Sequence, residues 1–182
     1  MGFAKKEVEG GGVSAASDDN LAKIAAFIRK HHVMTLATVG SDGQPWCAHA
    51  FYAWMAEGKR ADGKVRAEDS DGKVRTGAEQ GGCLVFMNNP ATRHGTEMLE
   101  RTHVAAAIAL ETRVVGRLQG LQIEGEVRMA TGAELEAARR TYLRRFPYAT
   151  VMEQPLWILV PTLMKLTDNT LGFGKKLVWT KS

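Results

Sequence analysis

The sequence predicts a mainly β fold with peripheral helices, closed as a small six-stranded antiparallel barrel. Three observations carry this. Short apolar segments rich in β-branched residues recur along the chain, mostly joined by short connections, and hairpin connections imply antiparallel pairing. Helical periodicity is confined to two or three stretches. The regular strand–helix alternation that a βαβ nucleotide fold requires is absent, so a small antiparallel barrel is the natural closure.

Met1 to Asp19 is rich in Gly, Ser and Ala and reads as a flexible tail. It lacks an apolar h-region, so it is not a secretory signal. Its Met-Gly start fails the myristoylation pattern because Lys6 stands where Ser or Thr is needed. Residues 20–182 read as one domain. Leu21, Ile24, Ala25 and Ile28 recur on one helix face, and Ser17 to Asn20 supply cap candidates. Val33–Val39 is a strand, Ser41-Asp42-Gly43-Gln44 a turn, and Pro45–Met55 the returning strand.

Residues 57–82 differ in character. The segment is polar and Gly-rich, and Asp62-Gly63-Lys64-Val65-Arg66 returns as Asp71-Gly72-Lys73-Val74-Arg75. Two Asp-Gly turns with little apolar content predict an inserted hairpin or loop rather than core. Cys83–Met87 is a buried strand. Asn89 as cap and Pro90 as first helical residue predict a helix start. Val104–Leu110 and Leu118–Met129 are strands. In the second, Leu121, Ile123, Val127 and Met129 share one face, and Gln122, Glu124, Glu126 and Arg128 share the other. Thr131 and Glu134 form a capping-box pattern. Leu135, Ala138, Tyr142, Leu143 and Phe146 make the helical stripe that follows. Strands at about Leu156–Leu166 and Lys176–Thr180 end the chain, around the polar loop Thr167–Gly174.

Composition bounds the function. Hydrophobic residues make up 45% and charged residues 24%, as in a water-soluble domain. No apolar run approaches the ~20 residues of a membrane helix. The net charge of +4 is scattered without a basic stripe, so no nucleic-acid partner is expected; it suits a phosphorylated small ligand equally well. Cys47 and Cys83 lie far apart with no CxxC, which argues against structural zinc or a disulfide framework and fits a reducing, cytoplasmic location. No two histidines have metal-ligand spacing, and no metal is expected. His31 and His32 end the first helix, where a cation is favourable.

Two segments could carry chemistry. At Asn88–His94 a strand ends and a helix begins, with Thr92, Arg93 and His94 in its first turn. Free amides and the positive helix end favour a phosphate there, completed by a hydroxyl, a guanidinium and an imidazole. The plainer reading is an exposed helix start with incidental basic residues. In Thr167–Lys176, the glycines around Phe173 permit close backbone approach, and Lys175 and Lys176 follow. The plainer reading there is a twisted hairpin with a solvated basic end. His49 lies mid-strand, either a satisfied core histidine or a ligand contact.

Four segments resemble a known family. They are Thr35-Leu36-Ala37-Thr38 with Asp42-Gly43-Gln44-Pro45, then Trp46–Tyr52, then Gly120–Glu126, and Thr167–Lys176 followed by Trp179. Arg144-Arg145-Phe146-Pro147 also fits. This order is similar to the pyridoxamine 5′-phosphate oxidase-like FMN-binding split β-barrels, and most to their YhbP-like branch, over roughly Asn20 to Lys181. The resemblance implies flavin mononucleotide (FMN) held at the interface of a homodimer. It implies flavin contacts along Ala48, His49, Ala50, Phe51 and Tyr52, at Met87 and Asn88, and from Gln122 and Trp179. It places the phosphate at Thr92-Arg93-His94. Lys175 and Lys176 become candidates for a positive group at the flavin's pyrimidine edge. The chain departs from the oxidase in three places. Ala48 stands at a phosphate-binding arginine, Gly120 at a flavin-contacting glutamine, and the C-terminal Arg-His substrate motif is missing. An FMN-dependent oxidoreductase of unknown small-molecule substrate is expected. Its rivals are a non-enzymatic flavin binder, or a barrel holding haem or a deazaflavin.

Overall fold

In the computed structural model of the protein the described residues are 13–56 and 81–181. The predicted inserted segment therefore lies outside them, apart from Gly81 and Gly82, as do residues 1–12. The described chain forms helices α1 (Val13–Lys30), α2 (Arg93–Glu100) and α3 (Gly132–Arg145). Its strands are β1 (Val33–Val39), β2 (Pro45–Ala56), β3 (Gly82–Met87), β4 (His103–Ala109), β5 (Gln119–Met129), β6 (Leu156–Asp168) and β7 (Lys176–Thr180). Helix α1 begins at Val13, so the cap candidates Ser17 to Asn20 lie within it. No Gly or Pro interrupts residues 13–20, and the helix runs through them.

The sheet runs β3-β2-β1-β4-β5-β6 and closes through β3–β6, giving a six-stranded antiparallel barrel. β6 is long enough to serve two partners on one edge. Leu156–Leu159 pairs with β3 and closes the barrel, while Leu163–Thr167 pairs with β7. The seventh strand segment is thus an extension beside the closed barrel.

Alternation decides what faces in. On β1 Met34 and Leu36 are buried, on β4 Val104, Ala106 and Ile108, and on β5 Leu121, Ile123 and Val127. Met129, expected on that apolar face, is 41% exposed because β5 ends there. The inward residues join Leu21, Ile24, Phe27 and Ile28 of α1 in one core that fills the barrel. A second cluster lies outside it, where Tyr142 of α3 and Phe146 just after it cover Ala53, Val85 and Ile158. The outer wall alternates with the core; on β1 and β4 it carries the small side chains Ala37, Ala105 and Ala107, and on β5 the longer Gln122 and Glu124.

Two local expectations are corrected. Thr131 is the N-cap of α3, but its side chain makes no cap bond; Glu134 instead takes both terminal nitrogens of Arg128 at 2.8 and 2.9 Å. A charged fork–fork pair outcompetes the box. His31 is no helix-end cation. It stacks on Phe27 with ring centroids 4.3 Å apart, and burial, then the charges of Lys30, His32 and Arg145, push its pKa down. Arg145 of α3 supplies the cation at that end, donating to the carbonyls of Arg29 and His31.

Candidate functional site

The site is built where β3 runs into α2. Asn88 is fixed by four bonds. Its amide nitrogen reaches Pro155 O (3.2 Å), and its carbonyl takes the indole N–H of Trp157 (3.2 Å). Its side-chain Nδ2 donates to Asn89 O (3.1 Å), and Oδ1 meets His94 Nε2 at 2.5 Å. Asn89 does not cap α2. Its Oδ1 takes the Ala91 amide (2.9 Å) in an Asx turn through Pro90, and the helix starts later, with Thr92 as N-cap accepting from Gly95 N (3.2 Å). Gly95 is required at this corner, since a Cβ there would come within 2.4 Å of Asn89 O.

These bonds sort the predicted cradle. The Thr92 hydroxyl caps the helix and donates to Asn89 O (2.8 Å). Burial lowers the pKa of His94, partly offset by Glu97; the neutral ring donates from Nε2 to Asn88. Arg93 is the group turned outward, its side chain 46% exposed. Its Nε bonds Glu97 Oε1 at 2.8 Å, and its guanidinium carbon lies 4.6 Å from the centre of the Trp46 ring. Beside it, the amides of Arg93 and His94 are the first of the helix and lack intrahelical acceptors.

A groove of about 440 Å³ runs across the outer wall of β1, β4 and β5. Ala37, Ala105 and Ala107 floor it; Thr35, Cys47, Gln122, Glu124, Leu163 and Lys165 line its sides. The groove and the α2 corner use alternate residues of the same two strands: Ala37 and Cys47 face the groove, while their neighbours Thr38 and Trp46 meet Glu97 and Arg93 of α2. Small floor residues admit a flat ring, and the polar rim offers donors and acceptors to its edges. His49 sits at the rim, 3.2 Å from Thr35 Oγ1.

The predicted residues therefore divide. Gln122 lines the groove, His49 stands at its rim, and Asn88, Thr92, Arg93 and His94 form the corner. The others lie elsewhere. Ala48 and Ala50 are half-buried on the inner face of β2, and Tyr52 is fully buried, its hydroxyl donating to Ile28 O (2.8 Å). Trp179 is 6% exposed in the barrel core. Met87 packs beside the α3 cluster, and Phe51 meets Phe146 edge-on at 5.4 Å. A strand cannot present consecutive residues to one ligand, so the run Ala48–Tyr52 splits between inside and outside.

Lys175 and Lys176 are exposed on the β6–β7 hairpin, and the cation on the groove is Lys165. Around Phe173, Gly172 (φ 129°) and Gly174 (φ 71°) provide turn conformations, and within this chain a Cβ on either would meet nothing within 4 Å. Sequence reasoning missed Trp46, Cys47, Lys165, Thr38 and Glu97. The alternating alanines of HVAAAIA were the readable signal of a groove floor.

Three comparisons bear on the chain. A family model described as pyridoxamine 5′-phosphate oxidase matches residues 21–160. The UPF0306 protein YhbP of Salmonella typhi is 36% identical over 163 residues, covering 90% of this chain and 95% of that protein. Among solved structures, a heme binding protein from Mycobacterium smegmatis aligns with a TM-score of 0.61 at 20% identity, over 92% of this chain; the chain spans 58% of that protein. A nimc/nima family protein from Clostridium acetobutylicum aligns at 0.56 and 13% identity, over 91% of this chain and 96% of its own. At such identities these structures share the fold alone.

Proposed function

Since the chain belongs to the pyridoxamine 5′-phosphate oxidase family, we propose that it is an FMN-binding flavoprotein, an oxidoreductase acting on a small molecule, and a homodimer in which a second copy closes the groove. The observation that carries this reading is that one small barrel offers both an alanine-floored groove of about 440 Å³ and an outward arginine at a helix start. A flat ring system bearing one phosphate needs that pair of features.

Bound FMN would supply hydride transfer, which no side chain of the chain can perform. The protein's part is to bind, orient and exclude water. Arg93 and the first amides of α2 hold the phosphate dianion. Ala37, Ala105 and Ala107 let the ring lie against the barrel wall, and Gln122 and Lys165 reach its polar edges. The Lys165 ammonium favours negative charge on the ring, the role expected of Lys175 and Lys176. Twofold pairing offers two equivalent grooves.

The visible spectrum of the purified protein, supplemented with FMN, separates this reading from a haem barrel, which would show a Soret band. Arg93→Ala is expected to weaken FMN binding by about 1.5–3 kcal/mol, the worth of a charge-assisted hydrogen bond, with unchanged circular dichroism. Wild-type affinity in that variant would place the phosphate elsewhere.

A further inference from the structure

An i,i+4 ion pair on a short helix is ordinarily a solvated surface feature that contributes little. The pair Arg93–Glu97 is built differently. Glu97 is 7% exposed although it lies on a two-turn helix, and each carboxylate oxygen has its own donor. Oε1 takes Arg93 Nε at 2.8 Å, and Oε2 takes the hydroxyl of Thr38 at 2.5 Å. Thr38 is a barrel residue of β1, 2% exposed and 59 positions earlier in the chain. A buried carboxylate carries a desolvation cost, and here its ion-pair partner is a half-exposed arginine.

Helix α2 does not need this bond for its attachment. Arg101 ties its C-terminal end to the β1–β2 turn through Gly40 O (2.7 Å) and Ser41 O (3.3 Å), and Met98 is buried in the core beneath it. What Thr38 and Glu97 accomplish is the placement of one guanidinium. Glu97 fixes its Nε edge, and Trp46 supports its face. The two terminal nitrogens are left as the donors an anion would meet. A free arginine side chain loses rotamer entropy when a ligand immobilises it, and a pre-placed one loses much less.

We propose that Thr38 and Glu97 are positioning residues for Arg93, and that this buried pair makes the site select a phosphorylated flavin over its unphosphorylated form. The inference rests on the FMN reading above and adds to it the source of its phosphate selectivity. Glu97 also cancels the charge of Arg93, so its value lies in geometry, and a conservative loss of that geometry is visible only on the phosphate.

The test is the ratio of FMN to riboflavin affinity, measured by quenching of flavin fluorescence on the full chain. Wild-type protein is expected to bind FMN at least about tenfold more tightly than riboflavin. Thr38→Val and Glu97→Gln are expected to lower FMN affinity about fivefold to tenfold and leave riboflavin affinity unchanged, and Thr38→Ser to restore the wild-type ratio. Thr38→Val keeps the volume of the side chain and carries the test if Glu97→Gln does not fold. Variants that retain the wild-type ratio, or lose both affinities together, would overturn the positioning role and leave the FMN reading standing. Wild-type protein that binds both flavins equally would overturn the phosphate corner, and no flavin binding at all would overturn the proposed function itself.

Discussion

The α2 corner and the β6–β7 hairpin use the same residue types to opposite ends. At the corner, Asn88, Thr92, His94 and Glu97 bond to one another and to the barrel, and the result is one arginine held outward. At the hairpin, polar groups bond mostly within the loop and to the adjoining start of β5. Asp168 Oδ1 takes the Thr170 amide (2.9 Å) and hydroxyl (2.6 Å), its Oδ2 takes Gln119 (2.8 Å), and Asn169 Oδ1 takes the Gly174 amide (2.9 Å). The result there is a stiff loop whose outward groups are Phe173, Lys175 and Lys176. A long, recognisable sequence motif can therefore encode a loop's rigidity.

Removing what lies beneath the corner should have the largest effect. Trp157 is 1% exposed and its indole N–H bonds Asn88 O, so it joins the core to the site. Trp157→Ala is expected to lower unfolding free energy by about 3–5 kcal/mol in urea titrations and to abolish FMN binding. A loss below about 1 kcal/mol would mean that the corner stands without the core.

The hairpin should yield less. Asp168 is 7% exposed. Burial pushes its pKa up, but the bonds from Thr170, Gln119 and the Thr170 and Leu171 amides outweigh this and hold it below the usual carboxylate range. Its stabilisation is therefore complete above the unfolded-state value of about 3.9 and is lost as pH falls through the lower folded value. Asp168→Ala is expected to cost about 1–3 kcal/mol at pH 7 and to flatten the acid limb of stability against pH. An unchanged acid limb would show that the loop does not depend on this carboxylate.

The contrast also explains what was legible in the sequence. Strand alternation and hairpin turns depend on local composition, so β1, β2, β4 and β5 and the burial of Leu121, Ile123 and Val127 could be read directly. The helix start near Pro90 was visible, but its cap was misplaced because Asn89 and Thr92 compete for the role and only the Asx turn decides. The pairing of Thr38 with Glu97 joins residues 59 apart and has no local signature. Tyr52 and Trp179 belong to strands correctly placed, yet their side chains face the core. A resemblance covers whole segments, whereas a strand presents alternate residues.

A smaller effect follows from His31, beside Arg145 at the end of α1. Its folded pKa is depressed below 6.5, so the unfolded chain binds the proton first as pH falls. The stability of wild-type protein should be constant above about pH 6.5 and decline below it, as also expected from the depressed His94. Urea unfolding at pH 7.5 and pH 5 measures the slope, and His31→Gln should remove part of it. A variant with the wild-type slope would show that His31 titrates alike in both states.

Phe173 should matter least to the fold. It is 86% exposed at the tip of the braced hairpin, so replacing it removes almost no buried surface. Phe173→Ala is expected to change the unfolding free energy by less than about 0.5 kcal/mol at concentrations where the chain is monomeric. Its effect belongs to association. A large aromatic side chain on a rigid loop has little entropy to lose on docking, and such residues dominate interface energies. Sedimentation equilibrium should therefore show the proposed dimer weakened by about tenfold or more. A variant that destabilises the monomer would mean that Phe173 packs within its own chain. A variant that alters neither quantity would remove the hairpin from the interface and leave the α2 corner as the one region of the pair that meets a ligand or partner.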